Sequence, residues 1–95
     1  MREKARQVAT LMAQLSNENR LLILCALLER PMTVGELAEC VPGISAPAIS
    51  QHLHRLREGG LVKCEKQGQF VRCSIGDERL RTLIETLREL YCPAD

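Results

Sequence analysis

The stretch TVGELAECVPGISAPAISQHLHRLR, residues 33–57, holds two short helical patterns separated by a proline-glycine turn. Thr33 and Glu36 stand at capping-box spacing: the threonine hydroxyl accepts from a backbone N–H and the glutamate reaches back to the N–H of the cap. This predicts a helix running to about Cys40. Pro42 and Gly43 then break the chain, and Ser45 is placed to cap a second helix that reaches about Arg57. In that helix Ile49, Leu53 and Leu56 recur at spacings of four and three, so they share one face and turn it to a core. Pro47, Ser50, Gln51, His54 and Arg55 fall on the other face. A helix that enters the DNA major groove needs this division, with an apolar side to hold it and an opposite side that can hydrogen-bond base edges and phosphates. Ala46 and Ala48 add little bulk at the approaching end. His52 sits between Ile49 and Leu56 on the inward side and reads as a packed, hydrogen-bonded histidine.

Downstream, Gly59-Gly60 ends the helix and two extended runs follow, residues 61–66 and 70–75. Gln67-Gly68 reads as the centre of their tight turn. In that register Lys66 pairs with Gln69, Cys64 with Val71, and Cys73 lies diagonal to Cys64. Lys63, Lys66 and Arg72, with Gln67 and Gln69 near the tip, suit a hairpin that touches phosphates or the minor groove. Asp77 can cap a last helix reaching residue 91, striped by Leu80, Leu83, Ile84, Leu87 and Leu90.

Upstream, Val8, Leu11, Met12 and Leu15 mark a first helix over about 3–15. Asn17 is placed to cap a second, 18 to about 29 and ended by Pro31, whose run from Leu21 to Leu28 is apolar nearly all round and belongs at the centre. The expected fold is mostly α with a small β-hairpin, in the order α-α-α-α-β-β-α: a winged helix-turn-helix filling residues 1–95 as a single domain. Its first and last helices carry more apolar surface than so small a core covers. A twofold dimer pairing them would set two recognition helices about one DNA turn apart, matching a pseudo-palindromic double-stranded operator.

The formal net charge of +1 hides an uneven distribution. Residues 1–49 hold equal numbers of basic and acidic side chains. Residues 50–75 hold five basic ones, Arg55, Arg57, Lys63, Lys66 and Arg72, against only Glu58 and Glu65. The basic excess thus falls on the helix and hairpin that would meet DNA. No apolar stretch approaches the roughly 20 residues that span a bilayer, so a cytoplasmic location without membrane contact is expected. In that compartment the five cysteines read as small buried hydrophobes, not a disulfide framework. Catalysis is not expected: neither histidine has an evident orienting carboxylate, and no Gly-rich phosphate loop is present. No cofactor is implied.

With these elements in place, Leu15-Ser16-Asn17-Glu18-Asn19-Arg20-Leu21-Leu22-Ile23-Leu24, Val34-Gly35-Glu36-Leu37-Ala38, Ile49-Ser50-Gln51-His52-Leu53 and Leu56-Arg57-Glu58-Gly59-Gly60-Leu61-Val62 resemble the ArsR/SmtB family of bacterial repressors. The resemblance runs from about residue 8 to the end. It implies a homodimeric repressor whose grip on its operator weakens when an inducer binds or a thiol is oxidised. Metal-sensing members often carry Glu-Leu-Cys-Val-Cys before the recognition helix, where this chain has Glu36-Leu37-Ala38-Glu39-Cys40; others use a last-helix histidine, and residues 77–91 contain none. No metal site is therefore expected. Cys25 within Leu22-Ile23-Leu24-Cys25 and Cys92 within Leu90-Tyr91-Cys92-Pro93 resemble the dithiol branch of the family, which senses redox change and reactive sulfur. By that resemblance, reduced Cys25 and Cys92 permit DNA binding, and a disulfide or polysulfide bridge between them releases it. Alternative readings are a metalloid-responsive repressor using Cys40, Cys64 and Cys73, a second dithiol formed by Cys64 and Cys73 on the wing strands, and a winged helix that binds protein without sensing.

Overall fold

The computed structural model describes residues 1–91, in the order α1 (Arg2–Leu15), α2 (Glu18–Leu27), α3 (Val34–Cys40), α4 (Ala46–Glu58), β1 (Val62–Gln67), β2 (Phe70–Ile75) and α5 (Glu78–Tyr91). This is the expected order of a winged helix-turn-helix. The starts of α2, α3, α4 and α5 are each fixed by a side chain that satisfies an orphan backbone donor. Asn17 accepts from the Arg20 N–H at 3.0 Å, Ser45 from the Ala48 N–H at 3.2 Å, and Asp77 from the Arg79 N–H at 2.8 Å. The Thr33–Glu36 capping box is complete, with bonds of 3.1 and 3.0 Å. α2 stops at Leu27, two residues earlier than expected, because the residue preceding Pro31 is driven out of the helical region and the last turn loosens ahead of it.

α4 ends in a Schellman closure. Gly60 takes φ +75°, the Gly60 N–H donates to the Arg57 carbonyl at 3.0 Å, and the Leu61 N–H donates to the Leu56 carbonyl at 2.9 Å. Leu56 and Leu61, the two ends of the closure, are both buried, so the turn that aims β1 is clamped by the core.

α2 lies at the centre, touching α1, α3, α4, α5 and β2. Its Ile23, Leu24 and Leu27 pack with Leu37 of α3, Ile49, Leu53 and Leu56 of α4, Val62 and Ile75 of the hairpin, and Leu80 and Ile84 of α5.

The hairpin register differs from the expected one. Gln67 pairs with Phe70, Lys66 with Val71 and Cys64 with Cys73, so the turn centre is Gly68-Gln69. Gly68 has φ +65°, and among the described residues no non-glycine residue takes positive φ. With Gln67-Gly68 at the centre, the glycine would occupy the second position, a type II pattern that splays the strands. At the first position it makes the II′ pattern, whose twist matches theirs. The shift brings Cys64 and Cys73 directly opposite, and they form a disulfide with Cα atoms 4.0 Å apart. The expectation that these two cysteines lie diagonal to each other is thereby corrected, and the reading of the cysteines as small buried hydrophobes does not hold for this pair.

Candidate nucleic-acid interface

α4 buries Ile49, Leu53 and Leu56 and leaves Ser50, Gln51, His54 and Arg55 exposed. Those four line one shallow depression of about 450 Å³ on the outer face of the helix. Ser45 and Pro47 are exposed at its N-terminal end, where Ser45 spends its hydroxyl oxygen on the cap. The Nε2 of His54 lies 3.7 Å from Glu58 Oε1, one turn along, so the imidazole sits beside a carboxylate while still facing solvent.

The hairpin is the wing. Lys66, Gln67 and Gln69 are exposed around its tip. Arg72 is not grouped with them: it is half-buried and donates to Glu36 Oε1 at 2.8 Å, tying β2 to the first turn of α3. The other oxygen of Glu36 accepts from Arg30 at 2.8 Å. The Thr33 backbone bond, then the Arg30 hydrogen bond and the charges of Arg30 and Arg72, hold the Glu36 carboxyl down at about 2. Between wing and recognition helix runs a groove of about 220 Å³, walled by Ser50, His54 and Arg57 on one side and by Cys64, Val71 and Cys73 on the other.

Two residues at this face escaped the sequence reading: Phe70 and Val71 are large apolar side chains left exposed on the wing. Arg57, counted there only in the basic excess, lines the groove. An apolar pair beside a glycine turn was the available signal. The strand pattern alone assigns such residues to a core.

His52 is half-buried as expected, but its Nδ1 is buried with no hydrogen-bond partner among the described residues, so the expected hydrogen bond at that nitrogen is not made. Burial, followed by the nearby positive charges of Arg20 and Arg55, lowers its pKa from the ordinary 6.5. Arg20 is itself held between helices, donating to Gln14 Oε1 at 2.6 Å.

Cys25 is half-buried on α2 and Cys40 exposed at the end of α3; both border a groove of about 470 Å³ with Leu22, Ala26, Glu29 and Met32. Cys40 therefore opens onto a different groove from Cys64 and Cys73. Among the described residues no three or more His, Cys, Asp or Glu side chains cluster as metal ligands. Cys92 lies outside the described residues. No helix of the described chain is long and apolar enough to cross a membrane.

A sequence profile described as "Bacterial regulatory protein, arsR family" matches residues 17–63, which run from the cap of α2 into β1. The chain is 42% identical over 94 residues to the HTH-type transcriptional regulator YgaV of Escherichia coli K12, covering 98% of this chain and 94% of that protein. Its fold superposes on the structure of reduced HlyU from Vibrio cholerae with a TM-score of 0.89 at 38% identity, covering 97% of this chain and 96% of the other. The transcriptional repressor BigR from Xylella fastidiosa gives 0.88 at 33% identity, with 100% and 95% covered. The exposed polar face of α4, the basic wing beside it and these likenesses agree: the chain belongs to the ArsR family of bacterial regulatory proteins and is a winged helix-turn-helix, DNA-binding transcriptional regulator, not an enzyme.

Proposed function

We propose that the protein is a homodimeric, cytoplasmic repressor that holds a pseudo-palindromic operator while Cys25 and Cys92 are reduced and releases it when they are oxidised or bridged by reactive sulfur. One domain, residues 1–95, serves both DNA binding and dimerisation. The observation that carries the DNA-binding assignment is the shared outer face of Ser50, Gln51, His54 and Arg55, with Ser45 and Pro47 at its leading end and Lys66, Gln67 and Gln69 on the adjacent wing. Side-chain amides and hydroxyls at that place read base edges in the major groove, and the cations hold phosphates.

The dimer reading is supported by the apolar surface of α1 and α5. Val8 and Met12 are 52% and 46% exposed, and with Leu11, Leu61, Leu80 and Leu83 they border a groove of about 440 Å³. The sensing reading is supported by the way α5 meets α2. Arg88, four positions before Cys92 in the sequence, donates to Glu29, four positions after Cys25, at 2.8 Å. The chemistry needs one thiolate to attack the oxidant or persulfide and a second thiol to resolve the product.

The test is a mobility shift on the DNA upstream of the protein's own gene, with and without inorganic polysulfide. Wild type is expected to bind and be released. Cys25→Ser and Cys92→Ser are each expected to bind and stay bound. Release of either variant by polysulfide would overturn the sensing reading, and the lack of any retarded species in low salt would overturn the operator reading.

A further inference from the structure

The wing holds a second pair of cysteines, Cys64 and Cys73. Cys73 spends both backbone groups on Met32: its N–H donates to the Met32 carbonyl at 2.8 Å and its carbonyl accepts from the Met32 N–H at 2.9 Å. Since those groups point away from β1, Cys64 and Cys73 form a non-hydrogen-bonded antiparallel pair, the kind that sets side chains closest together. Met32 directly precedes Thr33, the cap of α3, and Arg72 beside Cys73 is ion-paired with Glu36 of the same helix. β2 is thus anchored to α3, whereas β1 continues from α4 through the Leu56–Leu61 closure. The Cys64–Cys73 bond therefore closes a covalent and hydrogen-bonded ring that runs through α3, α4 and the wing. Both cysteines also line the groove that faces Ser50, His54 and Arg57.

We propose that Cys64 and Cys73 are a second thiol–disulfide switch, exchanging with low-molecular-weight disulfides and thiols, and that the bridged form binds DNA more tightly than the reduced one. Cys73 is buried and Cys64 is partly exposed, so exchange begins at Cys64. The Cys64 thiolate attacks a small disulfide RSSR, forming a mixed disulfide and expelling RS⁻. The Cys73 thiolate then attacks the Cys64 sulfur and expels a second RS⁻. The two protons released by the cysteines end on two RSH molecules, and the protein pair is oxidised by two electrons while RSSR is reduced. An excess of dithiol runs the exchange backward.

The direction of the effect follows from ordering. A two-stranded hairpin is marginal by itself, and without the bridge the wing beyond Cys64 and Cys73 must be ordered at the moment of DNA contact. Each rotamer-rich side chain so immobilised weakens binding, giving a reduced form roughly three- to tenfold weaker. The sign is opposite to that proposed for Cys25 and Cys92, where oxidation releases DNA, so the two pairs are separable.

The experiment uses the full chain carrying Cys25→Ser, Cys40→Ser and Cys92→Ser, which leaves the wing pair as its only thiols. Fluorescence anisotropy in low salt measures its affinity for a mixed-sequence DNA duplex after treatment with glutathione disulfide or with dithiothreitol. Intact mass and thiol alkylation read its redox state. The expected result is a monomeric chain lighter by two hydrogens after oxidation, with affinity roughly three- to tenfold higher, a difference abolished by adding Cys64→Ala. Alkylation of both Cys64 and Cys73 at every glutathione ratio in wild type, read on the peptides that carry them, a disulfide formed only between chains, or equal affinities of the two forms would overturn the proposal. Peptide-level alkylation of wild type needs no substitution at the buried Cys73, so the proposal stays open to refutation even if a variant folds poorly.

Discussion

Arg72, in the second strand of the wing, donates to Glu36, in the first turn of the first helix of the helix-turn-helix, across 2.8 Å and 36 positions of sequence. The same carboxylate caps Thr33 and holds Arg30, so one side chain joins α3, the wing and the loop after α2. A basic residue that reads as a DNA contact in the sequence thus has a partner within the fold, and its pairing helps set where the wing stands.

Glu36 makes a specific acid prediction. Its folded-state pKa of about 2 lies below the ordinary 4.5, so its contribution to stability is complete above 4.5 and is lost as pH falls toward 2. Chemical denaturation of wild type and Glu36→Gln across pH 6 to 2 should show wild type more stable at the top of that range and the gap closing toward the bottom. A gap that stays constant in acid would show that the carboxylate charge is not what stabilises.

His52 predicts a pH dependence in the neutral range. Its folded-state pKa is lowered from 6.5, so the unfolded chain binds the proton more readily. Stability is therefore full above about 6.5 and falls as pH drops below it. Urea midpoints at pH 7.5 and 5.5 should fall more steeply for wild type than for His52→Gln, and equal slopes would refute the assignment.

On the recognition helix, Gln51→Ala should weaken discrimination among operator bases by about 1–3 kcal/mol. Arg55→Ala should weaken binding to all sequences alike and lower the slope of log affinity against log salt by about 0.9. Salt titrations of both variants on operator and mixed duplexes separate base contact from phosphate contact. An unchanged slope for Arg55→Ala would remove that residue from the interface.

The α1 surface predicts the oligomeric state. Placing charges on the exposed Val8 and Met12, as Val8→Glu with Met12→Glu, should halve the mass measured by light scattering and weaken operator binding sharply, because one recognition helix would then act alone. A variant that keeps the wild-type mass would exclude this face as the dimer contact.

What the sequence by itself determined was local. Asn17, Thr33 and Ser45 announce their helices because a cap acts on a backbone donor two or three residues away, and Ile49, Leu53 and Leu56 announce the buried side of α4 because helical spacing is invariant. The exposed grouping of Ser50, Gln51, His54 and Arg55 follows from the same spacing. The tertiary structure decided the rest. Both candidate hairpin registers put the same residues on the same faces, so alternation is blind to the choice and the twist imposed by Gly68 makes it, bringing Cys64 to Cys73. Arg72 meets Glu36 and Arg88 meets Glu29 only because α2 gathers α3, the wing and α5 around it. Spacing along the chain carries no record of partners 36 and 59 positions apart, since packing alone brings them together.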